Sequence, residues 1–556
     1  MEVVRKYSVA TLMLIILCLA AFFVNNSALP VDSGEVKTIV TAREIIADGQ
    51  WMMPTMNGEL RLDKPPLAAW VASVVESIYP HDLSAQRIPA ALMGVMWAMF
   101  FFGVARYMER RKGFAEIATV VFITCYNVIY FGRVVSRDIY AYAFMMAAMY
   151  FMMRLLYDSR YFAKPHKWRW ALLSGLMMGL SFLSNGSVAF YSMLLPFLMV
   201  MTYYRRPDMA GRWLPLALLI VVFLATFGWW YAYLFSCNPD AIKAALANEM
   251  KTWMGGHTRP WFYYWRFFSE MGIWAVFTLA ALVLPYWNSR LRTKRLYITA
   301  LSWLFLALLL LSIVPEKEMT DVIVLAPSCA LVVACLIFYY IERWPEDKWG
   351  KALFYFNGYL IALMVFALPF FVHIRIANRY LMDFGSELFV NLFLWGIAFY
   401  VAVSTYRKEM VGVVRGVVAL FFVIECFMLG PISGIFGNSR QHSISMLQED
   451  EVVGKLPLYY NADEPLRIEL VYEAGRRILP LDLKDADAVS KAAPCLLLTK
   501  GHLSEVLPSA TMERVDTAFI GKFDDNKFPR HNKHYRQELV NQVSLIQPKS
   551  PRPVIE

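Results

Sequence analysis

About 13 apolar stretches, each long enough to cross the roughly 30 Å hydrocarbon layer of a bilayer as a helix, begin near residues 8, 87, 113, 138, 170, 187, 213, 272, 296, 320, 353, 387 and 411. A chain patterned in this way has little choice but a helical membrane fold. Composition agrees: of 556 residues, 58% are hydrophobic and only 18% charged, which is too apolar for a soluble protein of this size. The net charge of +10 would suit a nucleic-acid binder, yet the Lys and Arg sit in short clusters between apolar runs and form no basic face or tail. No nucleic-acid partner is therefore expected. The seven Cys have no paired spacing, and Cys18, Cys125, Cys329, Cys335 and Cys426 lie within apolar runs, so neither a disulfide framework nor a zinc site is expected.

The basic clusters also give an orientation, because Lys and Arg accumulate on the cytoplasmic side. With the N-terminus inside, the inner segments are "VRK", "RYMERRKG", "RLLYDSRYFAKPHKWR", "YYRRPDMAGR", "NSRLRTKR", "ERWPEDKWGK" and "TYRKEM", each rich in bases. The alternate connections carry fewer bases for their length, so an odd number of spans puts the C-terminal segment outside. Residues 1–24 also fit a cleaved signal peptide ending near "NNSALP", although Leu29 and Pro30 match the small-residue rule poorly. Cleavage would leave the sidedness of the rest unchanged.

Two parts of the chain are not spans. Residues 25–85 form a first outer connection too long for an idle link, expected to fold on the membrane surface. Within it "GEVKTIVTAREIIADG" predicts a helix with Val36, Ile39 and Val40 on one face and Gly49 as its stop. "PPLAAWVASVVESIYP" predicts a second, starting on a proline pair and about 15 residues (near 22 Å) long, short enough to lie at the interface. From about residue 436 the composition becomes that of a soluble protein. "LPLYY", "RIELVYE", "RRILPLD", "PCLLLTK" and "VDTAFIGKF" read as strands of a small α/β domain. The predicted architecture is thus an α-helical integral membrane domain over 1–435 and an outer α/β domain over 436–556.

Ionisable groups at a membrane boundary invite a functional reading, since burial near lipid is costly unless something is gained. Four outer connections supply them: Asp32 and Glu35, with Lys37, Arg61, Asp63 and Lys64; Arg137 and Asp138; Glu249, His257 and Arg259; and Lys317 between Glu316 and Glu318. Plainer readings exist for each. "DSGE" has capping-box spacing, Asp63 and Lys64 could be a solvated ion pair, Asp138 suits a helix N-terminus, and a lone His is usually structural. Their convergence on one side favours a shared site.

The order of these motifs carries a resemblance. "GEVKTIVTAREIIADGQWMMPTMNGELRLDKPPLAAW" resembles the first outer loop of the polyprenyl-phosphate-dependent GT-C glycosyltransferases, most closely the lipid A aminoarabinose transferase branch of the protein mannosyltransferase superfamily. "SRDIYAY" resembles the family's "LDP" segment, "NPDAIKAALANEMKTWMGGHTRPWFYYW" its fourth outer loop, and "LSIVPEKEMTDVIVLAPSCALV" its Ser, Lys and proline pattern. The resemblance implies that Lys64, in the place of the lysine of "E-K-P-P", lies beside the reaction centre and holds the donor's phosphate, with Asp63 in place of the preceding acid. Lys317, Arg61 and Lys37 would be further phosphate-binding cations, and Asp63, Glu249, His257 and Arg259 would line the substrate site. The family's acidic pair falls on Gly34 and Glu35. Glu35 is then the first candidate for the catalytic carboxylate, Asp32 the second if the loop shifts by two residues, with Asp138 beside them. Departures are Gly34, Lys37 and Thr38 where Arg-Tyr is usual, Asn185 where Lys precedes Gly, and "EMTDV" where a Tyr follows the lysine.

The implied chemistry suits these residue types. Breaking an anomeric C–O bond builds negative charge on the leaving phosphate, which needs preorganised cations, while a carboxylate takes the acceptor hydroxyl's proton. The expected protein is a monomeric glycosyltransferase of the bacterial inner membrane, with its active site and C-terminal domain periplasmic. It would use a polyprenyl-phosphate sugar as donor and a lipid or glycan, such as lipid A, as acceptor. Beyond the donor no cofactor is called for, a divalent metal being left open; no metal ligands stand out. The alternatives are a protein O-mannosyltransferase-like enzyme, a multi-span transporter or flippase, and a sugar-binding scaffold without turnover.

Overall fold

Eight helices of the computed structural model are long and apolar enough to cross a membrane: Leu83–Met108, Arg137–Tyr157, Trp213–Cys237, Lys294–Ile313, Met319–Glu342, Lys348–Ile374, Phe384–Tyr406 and Met410–Ser433, or up to nine if a bent pair counts as one. All eight coincide with stretches read from hydropathy. The remaining stretches are helical too: Glu2–Phe23 and Lys167–Asn185 as single helices, and Phe114–Ile123 with Tyr126–Phe131, Phe190–Tyr204, and Tyr263–Trp274 with Ala275–Ala281 as shorter or broken ones. Gly272, at φ 57°, interrupts the last of them. The structure describes residues 2–158, 166–255, 258–375, 382–436, 443–448, 450, 453–526, 533 and 535–549.

The chain divides into two units, Met1–Leu29 with Leu62–Ile432, and Pro30–Arg61 with Ser433–Glu556. In the first, helices approach closely where small residues face each other, as apolar lipid offers little hydrophobic drive for association. A Cβ at Gly175 would lie 2.5 Å from the carbonyl oxygen of Leu219, so the helices Lys167–Asn185 and Trp213–Cys237 can meet at this distance only with glycine there. Three arginines, Arg87, Arg133 and Arg212, are fully buried in this unit. Arg87 donates from Nη1 to the carbonyls of Asn26 and Leu29, both at 2.9 Å. Arg133 donates to the carbonyls of Ala20 (3.0 Å) and Val24 (2.8 Å) and pairs with Glu425. Asn25, at φ 52°, donates from its amide to the Glu425 carbonyl at 2.9 Å. The end of the first helix is thereby tied to the last span.

In the second unit the helix Ser33–Asp48 begins where Asp32 Oδ1 accepts from the Glu35 amide at 2.7 Å and stops at Gly49, φ 69°. Its predicted apolar residues Val36, Ile39 and Val40 are all buried, but Val36 and Val40 pack into a core with Ile444, Leu447, Leu470, Val471 and Ile478. An amphipathic face is equally suited to the membrane surface and to a protein core, and here protein covers it. Strands β1 (Thr55–Met56) and β2 (Glu59–Leu60) form a hairpin turned by Asn57 and Gly58, whose φ of 54° and 81° are those the mirror-image two-residue turn requires. The Glu44 carboxylate holds that turn, accepting from Thr55 Oγ1 at 2.6 Å, the Asn57 amide at 2.5 Å, the Gly58 amide at 3.1 Å and Arg477 at 2.9 Å.

Five strands follow, β3 (Leu458–Asn461), β4 (Ile478–Leu481), β5 (Cys495–Thr499), β6 (Val515–Asp524) and β7 (Val540–Pro548), in the order β4-β3-β5-β7-β6. β3 runs parallel to β4 and β5, while β7 runs antiparallel to β5 and β6. "RIELVYE" is not a strand but lies across the helix Ile468–Ala474, the crossover that parallel β3 and β4 need. Its buried residues Leu470, Val471 and Ala474 repeat with helical spacing, and Gly475 at φ 66° ends it. β7, which the sequence reading missed, has a burial pattern without clean alternation.

Removing one partner of the Arg133–Glu425 pair should strand the other charge in an apolar interior. Arg133→Met or Glu425→Leu alone should lower unfolding free energy by about 3–5 kcal/mol, and the double variant by less than either single change. Chemical unfolding in detergent measures this; additive losses would show that the pair is not a coupled unit.

Candidate active site

The membrane unit brings three of its charged connections within electrostatic reach of one another. Ser136 caps the helix Arg137–Tyr157, its hydroxyl oxygen accepting from the Asp138 amide at 3.1 Å and its hydroxyl donating to Asp138 Oδ2 at 3.0 Å. The other carboxylate oxygen of Asp138 accepts from Asn185 Nδ2 at 2.6 Å. Asn185 is the last residue of the helix Lys167–Asn185, which closes at Gly186. The charges of Arg137, Lys64 and Glu318 all act on this carboxylate, which places residues from three separate segments within electrostatic reach of one another.

Lys64 stands before the prolines that lead into the helix Leu67–Ile78. The helix is 12 residues long, shorter than the predicted 15, because Pro66 is its N-cap and it closes at Tyr79. Lys64 Nζ lies 2.7 Å from Glu249 Oε1 on the helix Pro239–Gly255, and Asp63 is exposed. The half-buried Lys64–Glu249 pair is of the kind that contributes under about 1 kcal/mol, so an incoming phosphate can compete for the ammonium.

Lys317 is different. It is 4% exposed, and its Nζ donates to the carbonyls of Val314 (2.5 Å) and Arg259 (3.3 Å); among the described residues no carboxylate pairs with it. Burial lowers its pKa from the usual lysine value. The segment around it is held by the bridge between Thr258 and Glu316 and by the Arg259 amide, which donates to the Pro315 carbonyl at 3.2 Å. Arg259 itself reaches over the Tyr263 ring, 5.8 Å from its centroid. Next to it Asp321 Oδ2 accepts from the Glu318 amide at 2.8 Å and from the Tyr264 hydroxyl at 2.7 Å. Burial and the Asp321 carboxylate push the Tyr264 phenol well above its ordinary pKa, so it remains a donor.

Comparison with known proteins follows the same lines. Residues 63–231 match the family described as dolichyl-phosphate-mannose-protein mannosyltransferase. A curated undecaprenyl phosphate-alpha-4-amino-4-deoxy-L-arabinose arabinosyl transferase of Aeromonas hydrophila is 24% identical over 63% of this chain and 65% of its own length. An uncharacterized protein of Aquifex aeolicus is 24% identical over 53% of this chain and 57% of its own length. The match thus spans less than two thirds of these relatives. Crystal structures of ArnT from Cupriavidus metallidurans superpose along nearly the whole chain. The form bound to undecaprenyl phosphate gives a TM-score of 0.67 at 16% identity, covering 98% of both chains; the apo form gives 0.63, covering 90% of this chain and 93% of its own. The chain has the GT-C fold.

Within the GT-C fold, the sequence-derived candidates divide between the two units. Asp63, Lys64, Asp138, Glu249, Arg259 and Lys317 lie in the membrane unit, whereas Asp32, Glu35, Lys37 and Arg61 belong to the unit formed with the C-terminal segment. Asp32 caps its helix, Glu35 is 1% exposed, and Lys37 is exposed. Arg61 is buried, with Nη1 donating to the Lys37 carbonyl and Thr41 Oγ1, both at 2.7 Å. His257 lies outside the described residues. Among the described residues no group of three or more His, Cys, Asp or Glu is arranged to hold a metal ion. Asn185, Tyr264 and Asp321 were not anticipated as contributors; the "FYYW" run and the "EMTD" departure are the signals that mark the last two.

The lowered pKa of Lys317 gives a pH test. Its positive charge is present below that pKa and lost above it, so binding of an anionic ligand should weaken on the alkaline side earlier than for an ordinary lysine. In Lys317→Arg, whose guanidinium stays charged, affinity for a phosphate ligand should stay level as pH rises toward the ordinary lysine range while it falls in the parent. Identical profiles would remove Lys317 from the anion site.

Proposed function

We propose that this chain is a polyprenyl-phosphate-dependent glycosyltransferase that moves one hexosyl or pentosyl unit to a lipid or glycan acceptor at the periplasmic face of the inner membrane, working as a monomer. The observation that carries the reading is Lys317, a buried cation held by two carbonyls and paired with no carboxylate among the described residues. A dehydrated ammonium in that state is stabilised by an anion, and a lipid-linked phosphate brings one to the membrane edge. The aminoarabinose transferases and the undecaprenyl-phosphate-bound ArnT structure that this chain resembles support that choice of donor.

In the proposed reaction Lys64 and Lys317 bind the phosphate, with Arg61 and Lys37 as further cations, and Asp63, Glu249, His257 and Arg259 line the sugar and acceptor site. The acceptor hydroxyl attacks the anomeric carbon as its bond to the phosphate oxygen breaks. The C–O electron pair leaves with the phosphate, and the proton passes to Glu35, or to Asp32 in the shifted alignment, Asp138 being the third candidate. Charge on the leaving group is carried by protein cations, so the scheme routes no step through a metal ion. The region 1–435 supplies the membrane site and 436–556 a periplasmic domain. A protein acceptor is the second reading, favoured by the mannosyltransferase family match over residues 63–231.

Reconstituted protein given an undecaprenyl-phosphate sugar and envelope lipid acceptors should release undecaprenyl phosphate only when acceptor is present. Glu35→Gln and Lys64→Ala should each lower turnover by about a hundredfold or more with expression intact. Undiminished turnover in both would rule out the assignment, and labelled protein instead of labelled lipid would favour the second reading.

A further inference from the structure

Two departures from the motif pattern meet in space. Position 185 carries Asn where a lysine is usual, and position 137 carries Arg where "LDP" has Leu. Asn185 Nδ2 lies 2.6 Å from Asp138 Oδ1, so the residue lacking a charge abuts the segment that has gained one. The charge of Arg137 acts on its neighbour Asp138, but among the described residues no hydrogen bond joins the two. The Asp138 oxygens accept from Asn185 and Ser136, both neutral, and Nη1 of Arg137 is buried with no hydrogen-bond partner among the described residues. A guanidinium nitrogen removed from water and left unpaired is unfavourable, and its planar fork matches phosphate oxygens. Lys64 acts on the same Asp138 carboxylate, so the orphaned donor belongs to the cation set already described.

We propose that Arg137 binds the phosphate of the lipid-linked donor and supplies there the positive charge that position 185 lacks. This rests on the reading of the chain as a polyprenyl-phosphate-dependent transferase and adds a ligand to that site. The cation has moved from the end of one helix to the start of its neighbour, keeping the charge around the phosphate while changing its geometry from an ammonium point to a fork.

The test is binding of undecaprenyl phosphate to the full chain in lipid nanodiscs, measured without turnover. Arg137→Leu should weaken binding about tenfold or more, and Arg137→Lys less. Adding Asn185→Lys to Arg137→Leu should restore most of the affinity, which a merely structural role for Arg137 would not allow. Should Arg137→Leu fail to fold, Arg137→Gln, which keeps polarity and loses charge, takes its place in both single and double variants. Parent-like binding by the charge-deleted variant, or a double variant no better than the single at equal thermal stability, would overturn the proposal while leaving the transferase reading in place. A parent protein that binds no undecaprenyl phosphate would overturn both.

Discussion

Taking a charge out of water is costly, and that cost sorts the buried ions of this chain into two kinds. Arg87 and Arg133 are fully buried but compensated by protein: carbonyls at the end of the first helix accept from both, and Glu425 neutralises Arg133, whose Nε alone has no partner among the described residues. They hold helices together. Lys317 and Arg137 sit at helix boundaries; Lys317 has no carboxylate partner among the described residues, and Nη1 of Arg137 has no hydrogen-bond partner among them. In a fold that tolerates buried charge only with compensation, such groups mark where a ligand supplies it.

The helix starts around this region keep returning to the same chemistry. Ser136, Asp138 and Asn185 join the ends of two helices, Lys64 and Glu249 join two others, and the Lys317 segment is bridged to Thr258. Side chains fixed in this way need little reorganisation when charge develops on a leaving group, which is the property that electrostatic catalysis depends on. The weak Lys64–Glu249 pair and the buried Lys317 then contribute differently: one cation is easily released to a ligand, the other is held with its charge at a premium.

Much of this could be read from the sequence, for identifiable reasons. Long apolar runs have one stable outcome in lipid, so spans such as Leu83–Met108 and Met319–Glu342 were placed directly, while Phe114–Ile123 and Tyr126–Phe131 read as one because hydropathy does not register a break between them. Asp32 and Gly49 bounded their helix because capping is local. What covers that helix was not legible, since Val36 and Val40 meet Ile444, Leu470 and Ile478 from the far end of the chain. "RIELVYE" misled because Ile468, Leu470 and Tyr472 alternate like a strand although Leu470, Val471 and Ala474 form the buried face. Within the site, Lys64 and Asp138 stood out by motif. The isolation of Lys317 did not, because Glu316 and Glu318 beside it suggested ready partners that point elsewhere.

A structure of the protein with undecaprenyl phosphate bound tests the central claim most directly. The account predicts the phosphate within ion-pairing distance, about 4 Å, of the Lys64 and Lys317 ammonium groups. A phosphate bound away from both, with Lys317 still resting on its two carbonyls, would contradict it.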